Sequence, residues 1–552
     1  MQRNLEELSR QKFDLAIIGG GIQGAATARD AARRGLKVAL VEARDFAGAT
    51  SSRSSKMIHG GLRYLEQYDF RLVHEARRER RLLLKLAPHL AQPVPFLLPI
   101  YEGDPYSPFK IRLGLTVYDL MGNLGRKDLH KMLSPAETLR RVPSLKPGGL
   151  RKGAVYFDSE TDDARLTLEN ILDAADHGAV IANYTQIREL AISARDGGPR
   201  VANAEAEDQL SGRRYEISAR YWVNAAGPWV DQVRALLAGY DGSRTVRLTK
   251  GTHILLPPVA GRFALFAAIL PDKRIFVMPP WHGHALLGTT DTDYEGDPAA
   301  VRPDLSDIEY LLAALNRVLA QPLELKDVVG AFAGLRALAV QPGRSPSENT
   351  REYLLHEDPW ASNLVSICGG KLTTARALGE RVTDHVLARL GDAPPGSNTY
   401  PTRTEPLPGG QTGPFEVYVN YTAEEAVRMF GVPYPIAERI VETYGSRWRA
   451  VLDPVRENKS LAGVVPGSND LLAAEVDFAL REEMAVRVED FILRRSGLNW
   501  YAASALREAA PAVAKIFAAR LGWNDAQRSA EIQAFQEEAT KALPSKMVNS
   551  ES

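Results

Sequence analysis

Residues 13–42, FDLAIIGGGIQGAATARDAARRGLKVALVE, constrain the fold more than any other stretch of the chain. The run 15–18 is continuously apolar, as a parallel strand buried on both faces requires. Gly19, Gly21 and Gly24 follow as G-x-G-x-x-G at the point where that strand must turn into a helix. The first glycine permits the tight turn, the second lets the backbone approach a pyrophosphate, and the third lets the helix pack close to the strand. Residues 25–34 read as a helix whose N-terminus offers N–H groups and partial positive charge to a diphosphate. Gly35 ends it, residues 38–41 return as a second strand, and Glu42 at the tip is placed to accept both hydroxyls of an adenosine ribose. A bare G-x-G-x-x-G is a weak signal. In this order of strand, helix, strand and acid it predicts a dinucleotide site, FAD or NAD.

The 552 residues suffice for two to four domains and a large core. Lys+Arg and Asp+Glu balance at 68 each, so nothing points to a nucleic-acid binder. Cys368 is the single cysteine, which excludes an internal disulfide and a cysteine-based metal site. Residues 1–12 lack the apolar core of a signal peptide, and no run reaches the roughly 18 apolar residues of a spanning helix. These features predict an intracellular protein that meets a membrane from one side if at all.

After Glu42 a polar loop carries Ser51, Ser52, Ser54, Ser55, Lys56, Gly60 and Gly61, and returns towards the first nucleotide strand. Its hydroxyls and N–H groups suit a pyrophosphate or a flavin ring, but an ordinary solvated serine loop has the same composition. Residues 70–86 read as a basic amphipathic helix and residues 109–124 as an apolar segment bracketed by Lys110, Arg112, Arg126 and Lys127. Either suits an anionic bilayer surface or the outside of an ordinary packed body.

The run Thr50-Ser51-Ser52-Arg53-Ser54-Ser55-Lys56-Met57-Ile58-His59-Gly60-Gly61-Leu62-Arg63-Tyr64-Leu65 resembles the signature of FAD-dependent glycerol-3-phosphate dehydrogenases of the aerobic, quinone-linked type. Asn224-Ala225-Ala226-Gly227-Pro228-Trp229, Lys250-Gly251-Thr252-His253, Gly288-Thr289-Thr290-Asp291, Gly334-Leu335-Arg336 and Gly369-Gly370-Lys371-Leu372-Thr373-Thr374 extend the resemblance over nearly the whole chain. It implies an α/β fold. A Rossmann-like FAD-binding domain of the glutathione-reductase/amino-acid-oxidase type would join a mostly antiparallel substrate domain and a C-terminal helical domain. The FAD-dependent region is expected over 12–400, with the cofactor domain at about 12–100, 150–246 and 324–400 and substrate-domain insertions at about 101–149 and 247–323. A Pro/Gly-rich linker follows at 401–413, then helices over 414–545, with a capping box at Thr422-x-x-Glu425 and a long helix over 473–495 closed by Arg494 and Arg495.

FAD is favoured over NAD for a physical reason as well. Residues 364–368 read as a buried strand, followed by Gly369-Gly370 and a helix opening at Thr373. A helix N-terminus aimed at a flavin pyrimidine stabilises the negative charge that reduction places there. A nicotinamide has no such need. The expected cofactor contacts are Gly19, Gly21, Gly24, Glu42, Ser51, Ser52, Lys56, Gly60, Gly61, Ala226, Gly227, Gly370, Lys371, Leu372 and Thr373.

Flavin-dependent oxidation of a secondary alcohol needs a base for the hydroxyl proton and cations to hold the rest of the substrate still. Within the resemblance, His253 is the expected base, although a lone strand histidine is more often structural. Arg63, Arg336 and Lys371 are the expected phosphate anchors, with Tyr64 as a donor, Arg351 as a further cation and Thr374 as a hydroxyl contact. Arg336 or Lys371 could equally face the reduced flavin. The implied reaction is oxidation of sn-glycerol 3-phosphate to dihydroxyacetone phosphate, with electrons passed to a membrane quinone. That reaction implies a cytoplasmic protein on the inner face of the cytoplasmic membrane, and a homodimer remains open. The competing readings are a glycerol-3-phosphate oxidase using oxygen, an amine or amino-acid oxidase on the same fold, and a catalytically silent flavoprotein subunit.

Overall fold

The structure, a computed structural model, describes residues 1–62, 69–122, 129–195, 198–269, 274–340, 353–392, 394–497 and 503–541. The apolar run after Lys12 forms the strand Lys12–Ile18 at the centre of a parallel sheet. Val38–Val41 lies on one side of it and Arg214–Asn224 on the other; Val180–Ala182 and Leu364–Cys368 extend the sheet outward. Leu354–Glu357 closes one edge antiparallel. Every residue of Val38–Val41 and of Leu364–Cys368 is buried, as expected for strands covered on both faces.

One face is covered by Ile22–Arg33, Asp163–Asp176 and Ala375–Leu390, which pack Ala25, Ala28, Leu168, Ile171, Leu378 and Val382 into one core. These helices sit unusually close. A Cβ at Gly24 would lie 1.9 Å from the Gly19 carbonyl oxygen, and one at Gly379 would lie 2.5 Å from that of Ala26. Gly24 therefore serves helix–strand packing, the role its place in the motif predicts. The opposite face is covered by the hairpin Thr185–Arg195 and Gly198–Asp208.

The second sheet is mostly antiparallel and runs in the order Thr292–Asp293, Val246–Leu256, His284–Gly288, Arg274–Met278, Ala264–Ile269, Ala91–Tyr101, Leu150–Thr161, Met57–Ile58. Gly330–Ala339 pairs along Val246–Leu256 from Leu255 to Val246. This sheet thus takes strands from outside the expected 101–149 and 247–323 insertions.

The C-terminal part is helical among the described residues, but three local expectations change. The segment 401–413 is no loose linker. Thr402 donates to Asp30 at 2.7 Å, the Leu407 N–H donates to the Leu86 carbonyl at 2.9 Å, and Gly409 packs against His89. Thr422 does not start a helix, because Phe415–Phe430 begins after Pro414 and runs straight through it. The stretch 473–495 is two helices, Ala473–Glu482 and Val488–Arg494, broken where Met484 takes a left-handed φ of 54°.

Candidate active site

Both sheets line one cavity of about 1250 Å³, at the carboxyl ends of the nucleotide strands. This is where open α/β sheets bind ligands. Gly19 turns there with φ 116°, and a Cβ on it would lie 2.6 Å from the Ala225 carbonyl oxygen, so only glycine fits. The helix behind it begins at Ile22, whose N–H is accepted by Ser51 Oγ at 2.9 Å. Glu42 accepts the N–H groups of Gly20 at 2.7 Å and Arg44 at 2.9 Å, which holds its carboxylate against the glycine turn. Burial pushes that carboxyl upward from its ordinary value, and the two N–H bonds pull it back.

The second glycine turn behaves as expected. Gly369 and Gly370 take φ of 82° and 99° after the strand Leu364–Cys368, and Gly369 to Thr373 line the cavity ahead of the helix Ala375–Leu390. The Gln23 amide donates to the Gly369 carbonyl, tying the two glycine turns together. Ala226 and Gly227 line the same cavity from the end of Arg214–Asn224.

The substrate sheet presents one face to this space. Strand alternation puts Gly251 and His253 on that face of Val246–Leu256, and Phe332, Gly334 and Arg336 on that face of Gly330–Ala339. His253 is paired with Phe332 and Gly251 with Gly334. The two facing glycines leave a low floor between histidine and arginine. A Cβ on Gly251 would lie 2.8 Å from both terminal Arg336 nitrogens, and one on Gly334 would lie 2.8 Å from the Arg53 carbonyl oxygen. Arg336 donates to Thr289 Oγ1 at 3.2 Å and to the Thr290 carbonyl at 3.3 Å, and lies 3.2 Å from an Asp291 carboxylate oxygen.

The His253 ring is buried and stacked on Phe332 with centroids 5.0 Å apart. Its Nε2 is 2.8 Å from Ser55 Oγ, and its Nδ1 has no hydrogen-bond partner among the described residues. Burial, then the charges of Arg336 and Lys56, push the imidazole down to about 3. The ring is therefore neutral throughout the physiological range.

Several expected contacts fall elsewhere. Lys56 does not line the cavity: its ammonium is fully buried, donates to the Ser52 carbonyl at 2.8 Å and pairs with Asp163. Ser52 is buried beneath the same turn, with its hydroxyl on the Ala49 carbonyl at 3.2 Å. The Gly60 N–H is taken by Asp158 at 2.9 Å, and a Cβ there would lie 2.2 Å from the Tyr118 hydroxyl, so Gly60 and Gly61 build the loop without lining the cavity. Thr374 is the N-cap of Ala375–Leu390, buried and off the lining, with its carbonyl accepting the Leu378 N–H at 2.9 Å. Lys371 does line the cavity. Arg63, Tyr64 and Arg351 lie outside the described residues.

Sequence reasoning placed Ser55 in the polar loop but gave it no role beside His253, which it orients. It passed over Arg53 and Tyr156, both in the lining. Arg53 carries no motif signal of its own. Burial lowers its guanidinium to about 10, against the opposing pull of Glu538.

Residues 14–385 match the model of the FAD dependent oxidoreductase family, and residues 400–528 match that of the C-terminal domain of alpha-glycerophosphate oxidase. A glycerol-3-phosphate dehydrogenase of Synechocystis sp. is 35% identical, covering 97% of this chain and 98% of its own. The chain belongs to the glycerol-3-phosphate dehydrogenase family of FAD-dependent oxidoreductases. Another member, the aerobic glycerol-3-phosphate dehydrogenase of Staphylococcus haemolyticus, is also 35% identical, over 97% of this chain and 96% of its own. The glycerol-3-phosphate dehydrogenase of Bacillus halodurans, solved with FAD, shares 30% identity at a TM-score of 0.79, covering 98% of this chain and 96% of that one.

FAD is accordingly the cofactor of this chain, and the lining fits it. Gly19 and Gly21 open a helix N-terminus for the diphosphate, Glu42 stands at the strand tip for the ribose, and a second helix N-terminus rises behind Gly370.

Proposed function

We propose that this enzyme oxidises sn-glycerol 3-phosphate to dihydroxyacetone phosphate and hands the electrons to a membrane quinone. The observation that carries the reading is the neutral, buried His253 sharing one cavity with Arg336, Lys371 and both glycine turns. The neutral ring, positioned by Ser55, offers one unprotonated nitrogen to the proton of the substrate hydroxyl. Arg336, preset by Thr289 and Asp291, and Lys371 supply positive charge for the phosphate, and that charge orients the carbinol carbon. FAD, held by the two glycine turns and Glu42, would supply the hydride acceptor for that carbon. Phe332 stacks over the base and, with the buried strands around it, keeps water from the ring.

The quinone assignment rests on the surface. The helix Phe70–Leu86, N-capped by Asp69, turns Arg71, His74, Arg78, Arg81 and Lys85 outward, while Arg77 and Arg80 face inward. Beside it, Pro108–Gly122 exposes Phe109, Leu113 and Leu120 next to Lys110 and Arg112. No described helix is long and apolar enough to cross a membrane. A basic stripe beside an exposed apolar stripe suits an anionic bilayer surface, and we take its cytoplasmic face to be the site of action.

One observation favours a second reading, in which oxygen is the acceptor: the C-terminal domain matches the model named for alpha-glycerophosphate oxidase. Anaerobic addition of glycerol 3-phosphate should bleach the flavin absorbance. Quinone in anionic vesicles should then restore it much faster than air does. Reoxidation by air at the quinone rate would establish the oxidase reading, and bleaching by amino acids but not by glycerol 3-phosphate would end both.

A further inference from the structure

The loop that follows Glu42 lines the cavity with Ala43, Arg44, Asp45 and then Gly48 to Ser51, so it walls the cofactor site. The nucleotide domain holds it through the Ala47 N–H to the Gly20 carbonyl at 3.1 Å, the Tyr184 N–H to the Arg44 carbonyl at 2.8 Å, the Asn183 amide to Asp45 at 3.2 Å and Ser51 on the helix N-terminus, with Phe46 packed in the core. The charged grip on it comes from about 450 residues away. Asp45 is fully buried and accepts from Arg494 Nε at 2.6 Å and from two Arg495 nitrogens at 2.7 and 3.0 Å. Burial alone would raise that carboxyl, but Arg495 and Arg494 together bring it down to about 2.

The grip is part of a larger seam. The Asn183 amide donates to the Met484 carbonyl at 3.0 Å, and the Tyr184 hydroxyl donates to Asp490 at 2.5 Å. Arg165 holds both oxygens of Glu483 at 2.8 and 2.9 Å. Tyr184 lines the cavity from the nucleotide domain, and Arg487, Leu493 and Arg494 line it from the C-terminal domain. The two domains therefore share one wall, and buried charge holds that wall in place.

We propose that the C-terminal helical domain is a clamp on FAD: Arg494 and Arg495, acting through Asp45, hold the 43–51 loop over the cofactor, so that domain docking and FAD retention are one linked equilibrium. A ligand that binds only the docked form strengthens docking, and loosening of the seam releases the ligand by the same factor. Arg495 is a positioning residue, off the lining itself, whose effect reaches the cofactor through Asp45. The inference rests on the FAD site and not on the substrate, so its test uses no substrate.

The test compares FAD dissociation from the full-length holoenzyme, read as the rise in free-flavin fluorescence on dilution well below the unfolding temperature. Arg495→Met should release FAD at least tenfold faster. Ile440→Ala, which truncates a buried side chain in the far bundle without touching the seam, should lower the melting temperature and leave FAD release unchanged. Equal acceleration by both variants would reduce the effect to general instability and overturn the proposal. So would unchanged release from a folded Arg495→Met. The unmodified protein provides a readout even if that variant does not fold. Stripping FAD should speed hydrogen exchange together in residues 44–53 and 483–495, while leaving 434–444 as protected as before. Exchange in 483–495 that ignores FAD would also overturn the proposal.

Discussion

Gly288→Ala tests the role of His253 without touching it. Gly288 lies on His284–Gly288 directly across from His253, and its φ is not left-handed, so its backbone accepts alanine. The added Cβ, however, would sit 2.0 Å from His253 Cδ2 and 2.5 Å from Nε2. Ordinary carbon contacts need about 3.5 Å, so the ring or its strand must move by about 1 Å or more. The ring has little room to do so, being stacked on Phe332 and tied to Ser55 at 2.8 Å. A shift of about 1 Å in a catalytic group can cost on the order of 10²-fold in rate, and overpacking of this kind about 1–3 kcal/mol in stability. We therefore expect kcat/KM for glycerol 3-phosphate to fall about 10²-fold, with FAD content and flavin spectrum retained, in anaerobic flavin bleaching and in steady-state dye reduction. In a His253→Ala background the same substitution should cost almost nothing further, because neighbouring sites acting through one group do not add. Wild-type activity of Gly288→Ala, or the full additional loss without the histidine, would refute the assignment of His253 as the base.

Lys56→Met would leave Asp163 buried without its partner, so denaturant unfolding should show a loss of about 3–5 kcal/mol, part of it restored by adding Asp163→Asn; an unchanged stability with FAD lost would return Lys56 to the cofactor. Glu160, half-buried on Leu150–Thr161, has its carboxyl pushed up to about 7 by desolvation. The folded state thus holds a proton that the unfolded chain releases from about 4.5, so stability falls as pH rises from 4.5 to 7. Glu160→Gln should raise the melting temperature at pH 8, by up to about 3 kcal/mol in stability, and do little at pH 4; an equal gain at both pH values would refute this. Changing Arg71, Arg78, Arg81 and Lys85 together to Glu should release the enzyme from anionic vesicles, at about 1 kcal/mol per charge, while turnover with a soluble dye survives. Sedimentation that is unaffected would move the membrane face elsewhere.

The parts legible in the sequence are those set by backbone. Gly19, Gly24, Gly369 and Gly370 announce a turn or a close approach whatever surrounds them, and each does that work in the structure. The strands 38–41 and 364–368 are buried along their whole length because both faces are covered, and their bounds match the chain as read. The helix over 473–495 failed for a tertiary reason. Its periodicity is helical throughout, yet Glu483 is drawn to Arg165 and Met484 is turned left-handed at the seam. Thr422 failed for a local one: a capping box announces a start only if the preceding turn is not already helical, and Pro414 had started the helix earlier.

Side-chain direction is where reading along the chain loses its hold. In the run from Ser51 to Gly61, alternate hydroxyls and charges point to opposite sides of one turn. Ser51 and Ser55 meet the cavity, while Ser52 and Lys56 are buried beneath it. Spacing alone cannot sort them, because the partner that turns Lys56 inward is Asp163, more than a hundred residues on, and a buried ammonium without a carboxylate would not be tolerated. The same holds for Asp45, whose position just past the ribose acid invites a cofactor role and whose carboxylate is instead spent on Arg494 and Arg495. In both cases a residue in or beside a motif builds the wall that a motif residue uses. A substitution at Lys56 or Asp45 will therefore register as a cofactor defect in any activity assay, and only measurements that separate FAD release from unfolding tell wall from contact.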